Sequence, residues 1–199
     1  MTTLRMAQKR MTRQLLMATA LELFAAKGYA ATTIDDIAAG AGTNRTTFYA
    51  HFPSRTDLMR ALLRELDEKL GQVQDSVTPE LTVVVQSGDP QALRAWIKAK
   101  ASQWQDIRPY IMVADEASAL DREIQIIVDQ WSESSIGNIK DGLDRADRFD
   151  PGTRQIRAVL AYSQLDGLGG RWMRRGWDGM DADGSLEMLA DSWQHLLFE

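Results

Sequence analysis

Apolar residues return every third or fourth position along nearly the whole chain, the spacing of helices that bury one face and hydrate the other. In QLLMATALELFAAKG, Leu16, Ala20, Leu23 and Phe24 share a face, and Gly28 stands where a left-handed helix end is wanted. Thr33 offers a cap for a second, short helix. Its buried side is Ile34, Ile37, Ala38 and Ala41, and Asp35 and Asp36 suit its positive end. Gly42 supplies the positive φ of a tight turn, Asn44 caps a third helix to about His51, and Pro53 stops it. A long fourth helix begins at Thr56, with Leu58, Leu62, Leu63 and Leu66 inward.

Residues 75–88, DSVTPELTVVVQSG, interrupt this pattern with a proline, a glycine and the run Val83 to Val85. They read as a loop or linker, with a short strand as the alternative. Asp89-Pro90 and Asp150-Pro151 each place proline just after a capping aspartate. Pro109 is expected to break the first of these helices, a brief buried helix to follow it, and further helices to cover 121 to about 143 and 185–198. The expected fold class is all-α, with about nine helices.

The 199 residues suffice for one domain, or one domain with a small second module, and for a core without metals or disulfides. Cysteine is absent and only His51 and His195 represent histidine, so disulfide scaffolds, thiolate zinc sites and multi-histidine metal centres are not expected. No apolar run approaches a membrane span and the first residues lack a signal peptide's apolar centre, which suits a cytoplasmic protein. There is no nucleophile elbow, P-loop or dinucleotide fingerprint, and Gly167, Gly169 and Gly170 lie within a helical pattern rather than after a strand. Neither an enzyme nor a cofactor is expected.

The net charge of −5 is unevenly spread. Residues 1–60 hold eight basic and four acidic residues, a balance of +4, against fifteen and twenty-four in the rest, −9. A nucleic-acid contact confined to one end fits that asymmetry. The same end reads as two short helices joined by a glycine-containing turn. The outward side of the third helix carries Asn44, Arg45, Thr46, Thr47, Tyr49 and His51, and no acid. Such a face can present donors to bases and phosphates without repelling a duplex.

Residues 13–58, above all ATTIDDIAAGAGTNRTTFYAHFPSRTDL, resemble the DNA-binding region of the TetR-type one-component transcriptional regulators. Phe24, Gly28-Tyr29, Thr32-Thr33, Ile37-Ala38, Ala41-Gly42, Phe48-Tyr49, His51-Phe52, Arg55 and Leu58 carry the likeness. Thr43-Asn44 departs from it, the family more often having valine and then serine there; Asn44 keeps the cap while Thr43 loosens the turn. The resemblance implies a helix-turn-helix domain over residues 1–55 and a helical effector-binding and dimerisation domain over 56–199. It implies that Arg45 and Thr46 read base edges, and that Thr33, Thr47, Tyr49, His51 and Arg55 contact phosphates, with Asn44 opening the recognition helix. The basic stretch before residue 13, with Arg5, Lys9 and Arg10, reads as a tail reaching along the DNA.

After residue 60 no comparable motif exists. All six tryptophans lie there, and Trp96, Trp104, Tyr110, Met112, Trp131 and Gln164 are candidates to line an effector pocket. Plain core packing is the competing reading for each. Asp115-Glu116 and Asp166 suit a cationic ligand or, alternatively, solvated faces and caps. The glycine cluster in 167–170 and the spacing of Leu186, Leu189, Trp193 and Leu196 suggest a homodimer through the last two long helices. The reading that results is a ligand-responsive repressor, bound to a pseudo-palindromic operator as a homodimer and released by a small molecule. The alternative is an all-α small-molecule carrier or interaction protein without specific DNA binding.

Overall fold

A computed structural model describes residues 2–74 and 79–199, and every regular element in them is a helix. In chain order these are α1 (Thr2–Lys27), α2 (Ile34–Gly40), α3 (Arg45–His51), α4 (Arg55–Gln74), α5 (Leu81–Ser87), α6 (Pro90–Ser102), α7 (Trp104–Ser118), α8 (Arg122–Arg145), α9 (Pro151–Arg175) and α10 (Ala182–Leu197). The all-α expectation holds. Asp89 and Asp150 accept hydrogen bonds from the N–H groups of Gln91 and Gly152, with proline at the helix start in both places.

Three local expectations are corrected. The loop or strand over 75–88 is replaced, at 81–87, by α5; residues 75–78 lie outside the described residues. Leu81, Thr82, Val84 and Val85 are its buried side, so tertiary packing overrides the β-preference of the valines. Gly142 makes the packing possible. A Cβ there would lie 2.7 Å from Val85 Cβ and 2.8 Å from the Thr82 carbonyl oxygen. The break expected at Pro109 falls instead at Gln103, and Pro109 sits inside α7 at the loss of one backbone bond. The tail expected before residue 13 is helical from Thr2 onward and forms the first turns of α1.

The chain divides into two compact units. The first comprises residues up to Glu68 together with Ile107–Val128. Leu16, Ala20, Phe24, Tyr29, Ile37, Phe48, Phe52, Leu58 and Leu62 are buried in it. The α3 helix is too short to persist alone; Phe48, fully buried and in ring contact with Phe52 at 5.8 Å, anchors it to the rest.

The second unit comprises Lys69–Asp106 and Asp129–Glu199, in which α10 packs on both α6 and α9. Leu93, Ile97, Leu189, Ala190 and Trp193 form its core, and Arg94 bridges from α6 to Glu187 and Asp191 on α10. Gly169 is accounted for inside the chain: its missing Cβ leaves 3.3 Å to the ring of Trp104. A Cβ at Gly167 would meet nothing within 4 Å, and α9 runs unbroken through the cluster.

Candidate nucleic-acid interface

Both short helices of the N-terminal unit are fixed by their caps. Thr33 and Asp36 form a reciprocal capping box: the Asp36 N–H donates to Thr33 Oγ1 at 3.1 Å, and the Thr33 N–H donates to Asp36 Oδ2 at 3.0 Å. The Thr33 N–H and hydroxyl, both donating to Asp36 Oδ2, hold the Asp36 carboxyl below its ordinary range, with Lys27 adding a smaller effect. Gly42 has φ +64°. The turn it begins is closed by the Thr43 N–H on the Ala38 carbonyl at 2.8 Å, so Thr43 costs the turn no hydrogen bond. Asn44 Oδ1 then accepts from the Thr47 N–H at 2.9 Å and from its hydroxyl at 3.2 Å.

The α3 helix so fixed leaves Asn44, Arg45, Thr46 and Tyr49 exposed, with Thr47 and His51 half-buried. Arg45 is not loose. Its Nη1 donates to Asp35 Oδ2 at 2.9 Å, its Nη2 donates to the Tyr49 hydroxyl at 3.3 Å, and its guanidinium lies 5.6 Å from the Tyr49 ring. The Tyr49 bond, with Asp35 second, holds the Arg45 pKa above its ordinary value. Both charged partners are more than half exposed, so the pair is weak and separates at small cost. Asp35, read from sequence only as a complement to the helix dipole, is therefore also what orients Arg45.

At the C-terminal end of α3, His51 and Ala50 share an open cleft of about 250 Å³ with Lys9, Arg10 and Arg13 of α1. Arg13 donates from Nη1 to the His51 carbonyl at 3.1 Å and stacks 4.2 Å from the Phe52 ring centre. His51 Nδ1 is buried without a hydrogen-bond partner. Burial first, then Lys9 and Arg13, push the His51 pKa below 6.5, so the imidazole is neutral at neutral pH. Arg13 carries no phosphate assignment in the sequence reading. Its signal was available: Arg13 falls four residues from Lys9, one helical turn along the same face.

Arg55 and Thr33 have duties inside the fold. Arg55 Nη1 donates to the carbonyls of Tyr29 at 2.8 Å and Thr32 at 3.0 Å, and its guanidinium lies 4.2 Å from the Tyr29 ring centre. It ties α4 to the loop before α2. The Thr33 hydroxyl is engaged with Asp36 in both directions.

The proposed effector residues are divided between the two units. Trp96, Trp104, Trp131 and Gln164 belong to one, Tyr110 and Met112 to the other. Trp96 is buried against Trp193 at 5.9 Å, and Trp104 is buried between Trp172 at 5.7 Å and Trp177 at 6.0 Å. Tyr110 is buried and donates to Glu65 Oε1 at 2.8 Å. Met112 and Trp131 are half-buried, while Gln164 is exposed and accepts from Ser192 Oγ at 3.1 Å. Glu116 accepts from the Ala30 N–H at 3.4 Å beside Gly28, bracing the loop after α1. Among the described residues no group of acids and histidines is arranged to hold a metal, and no helix is long and apolar enough to cross a membrane.

The sequence pattern of bacterial regulatory proteins of the tetR family matches residues 16–62. The HTH-type transcriptional regulator EthR of Mycolicibacterium smegmatis is 33% identical over 84 residues, 42% of this chain and 36% of that protein. TcmR of Streptomyces glaucescens, also an HTH-type transcriptional regulator, is 38% identical over 65 residues, 33% of this chain and 29% of that protein. The matched stretch thus spans about a third of the length of these curated relatives. The fold is shared over nearly the whole chain. NalD, the secondary repressor of the MexAB-OprM multidrug efflux pump in Pseudomonas aeruginosa, superposes with a TM-score of 0.71 at 21% identity, covering 97% of this chain and 98% of its own. The multidrug binding protein EbrR, complexed with malachite green, gives 0.67 at 18% identity, covering 93% and 97%.

Proposed function

The N-terminal region of this chain belongs to the tetR family of bacterial regulatory proteins, and from that premise we propose that the protein is a ligand-responsive transcriptional repressor. Residues 1–55 form the DNA-binding domain and 56–199 the effector-binding and dimerisation domain. Two copies, joined through α9 and α10, bind a pseudo-palindromic operator with an α3 helix in each of two successive major grooves. Arg45 addresses a guanine edge and Thr46 a thymine methyl. Thr47, Tyr49 and His51 contact phosphates; Thr33 contributes through its backbone at the start of α2. Arg55 acts by fixing the loop before α2 and reaches phosphate from there. A small molecule taken up by the second domain favours a state whose recognition helices no longer match the groove spacing. The named ligands of structural neighbours, such as malachite green on EbrR, support an effector of drug-like size. The protein acts in the cytoplasm.

The observation that carries this reading is the acid-free outer face of α3, which ends at the cleft of Lys9, Arg10, Arg13 and His51. A carrier protein has no use for that surface. Arg45→Ala is expected to weaken binding to the DNA flanking the protein's own gene by about 1–3 kcal/mol, and Tyr49→Phe by less, with the dimer intact by sedimentation. Unchanged affinity in both variants would return the alternative of a carrier.

A further inference from the structure

The cleft at the C-terminal end of α3 carries more positive charge than its place on a DNA surface requires. Lys9, Arg10 and Arg13 line it together with Ala50 and His51, and none of these five is an acid. No acidic residue precedes Glu22 in the chain. Among the described residues neither Lys9 nor Arg10 forms an ion pair, and both are exposed. The charged groups that act on Arg13 and His51 are cations as well: Arg64 of α4 on the first, Lys9 and Arg13 on the second. Elsewhere arginines are neutralised locally, Arg60 by Asp57 and Glu123, Arg94 by Glu187 and Asp191, and Arg154 by Asp144 and Asp147.

At about 250 Å³ the cleft is small beside a duplex. DNA strings out singly charged phosphates, one per about 3.4 Å of axis on each strand, so its backbone brings only about one or two charges within reach. Part of the +3 of Lys9, Arg10 and Arg13 then stays uncompensated. A linear polyphosphate matches it better: its terminal group carries about −1.5 to −2 at neutral pH, and each further unit adds negative charge close by. Two side chains are already set for such a ligand. Arg13 is held by its bond to the His51 carbonyl at 3.1 Å and by the Phe52 ring, so little rotamer freedom is lost on binding. His51 Nδ1 is buried without a partner. An unsatisfied donor there costs about 1–3 kcal/mol, and a phosphoryl oxygen satisfies it.

We infer that this cleft is a ligand site in its own right, that it takes the triphosphate chain of a small polyanion, and that its occupation releases the operator. Inorganic tripolyphosphate and a nucleoside triphosphate share that chemistry. Lys9, Arg10 and Arg13 donate to the phosphoryl oxygens, and His51 donates from Nδ1. Because the same side chains hold the DNA backbone, bound polyphosphate and operator exclude each other. The inference rests on the reading of this face as DNA-binding and adds a control exerted within the DNA-binding unit itself, independent of any effector in the second.

The test is calorimetric titration of the intact protein with inorganic tripolyphosphate, free of metal ions, and with sulfate at matched ionic strength. Tripolyphosphate is expected to bind once per protomer and at least about tenfold more tightly than sulfate, equivalent to about 1.4 kcal/mol. Arg10→Met and Lys9→Met should each cost about tenfold, the worth of one charge-assisted hydrogen bond. Arg145→Met removes an exposed cation of the second unit and should change nothing. Adenosine triphosphate identifies the source: equal or weaker binding assigns the cleft to the phosphate chain alone, tighter binding to a nucleotide. Operator DNA should be displaced by tripolyphosphate and not by matched sulfate. No binding, sulfate as tight as tripolyphosphate, more than one tripolyphosphate per protomer, equal losses in Arg145→Met and Arg10→Met, or operator binding undiminished at saturating tripolyphosphate would each overturn the inference. Operator binding measured without polyphosphate separates this outcome from that of the regulator reading. DNA binding with no tripolyphosphate site sinks only the inference; a tripolyphosphate site with no DNA binding sinks the regulator and leaves the site standing.

Discussion

The seven-residue α3 and the sixteen-residue α10 show two ways in which a sequence can specify a helix. The shorter is held by its ends: Asn44 caps it, Phe52 closes it in extended conformation, and Phe48 is its one buried side chain. Its remaining positions are exposed or half-buried, so the residue types there report largely on what the helix meets outside. The longer is held by its side, with Leu186, Leu189, Ala190, Trp193 and Leu197 all buried. These buried residues fill the core whatever else they do, so their types do not single out a ligand. Function is therefore written legibly on α3 and ambiguously on α10.

Three experiments bear on this contrast. The largest effect is expected away from the caps, where helices meet side to side. Gly142→Ala would press a methyl against Val85 Cβ and the Thr82 carbonyl, neither of which can swing aside. A loss of about 1–3 kcal/mol in denaturant unfolding is expected, and an unchanged midpoint would mean that α5 does not pack as described. Next comes Thr33→Ala, which removes the capping box of α2 and should lower stability by about 1 kcal/mol. If its effect on stability were nil, α2 would be held by its buried side alone and the contrast with α10 would dissolve.

The smallest effect concerns pH. Because the folded His51 has its pKa below 6.5, the unfolded chain takes up this proton more readily. Its contribution to stability is complete above about pH 6.5 and is drained as pH falls through that value and below. DNA reverses the sign. A phosphate beside the imidazole favours the protonated form, so operator affinity should rise between pH 8 and pH 6, by less than about tenfold for a one-unit difference in pKa. His51→Gln should flatten that rise. A profile identical in the variant would remove His51 from the phosphate contacts.

Much of the interface was open to reading because its devices have chemical signatures. Thr33 and Asp36 three apart, Gly42 at positive φ, Asn44 before a helix and Pro53 after it are each tied to a backbone geometry that few other residues satisfy. What could not be read depended on partners without such signatures. Arg55 turns inward onto the carbonyls of Tyr29 and Thr32, and a carbonyl is present at every position of any sequence. The α5 helix is decided by Gly142, nearly sixty residues away, and by the helical spacing of Leu81, Val84 and Val85, which the adjacent valines disguised as a strand. The break at Gln103 rather than Pro109 shows the same limit: a proline marks a lost hydrogen bond, and α7 tolerates that loss. Among the tryptophans the sequence could place aromatic mass but not its pairing, so the Trp96–Trp193 and Trp104–Trp172 contacts emerged only from the fold.

The central claim is that the basic face of the first unit holds a DNA backbone. It is tested most directly by the salt dependence of binding to the DNA flanking the protein's own gene. Lys9, Arg10 and Arg13, present twice in a dimer, predict a logarithmic slope of about −5 or steeper, since each neutralised phosphate contributes about −0.9. Arg13→Met should make that slope shallower by about two, one phosphate per protomer. A wild-type slope near zero, or one that Arg13→Met leaves untouched, would contradict the account.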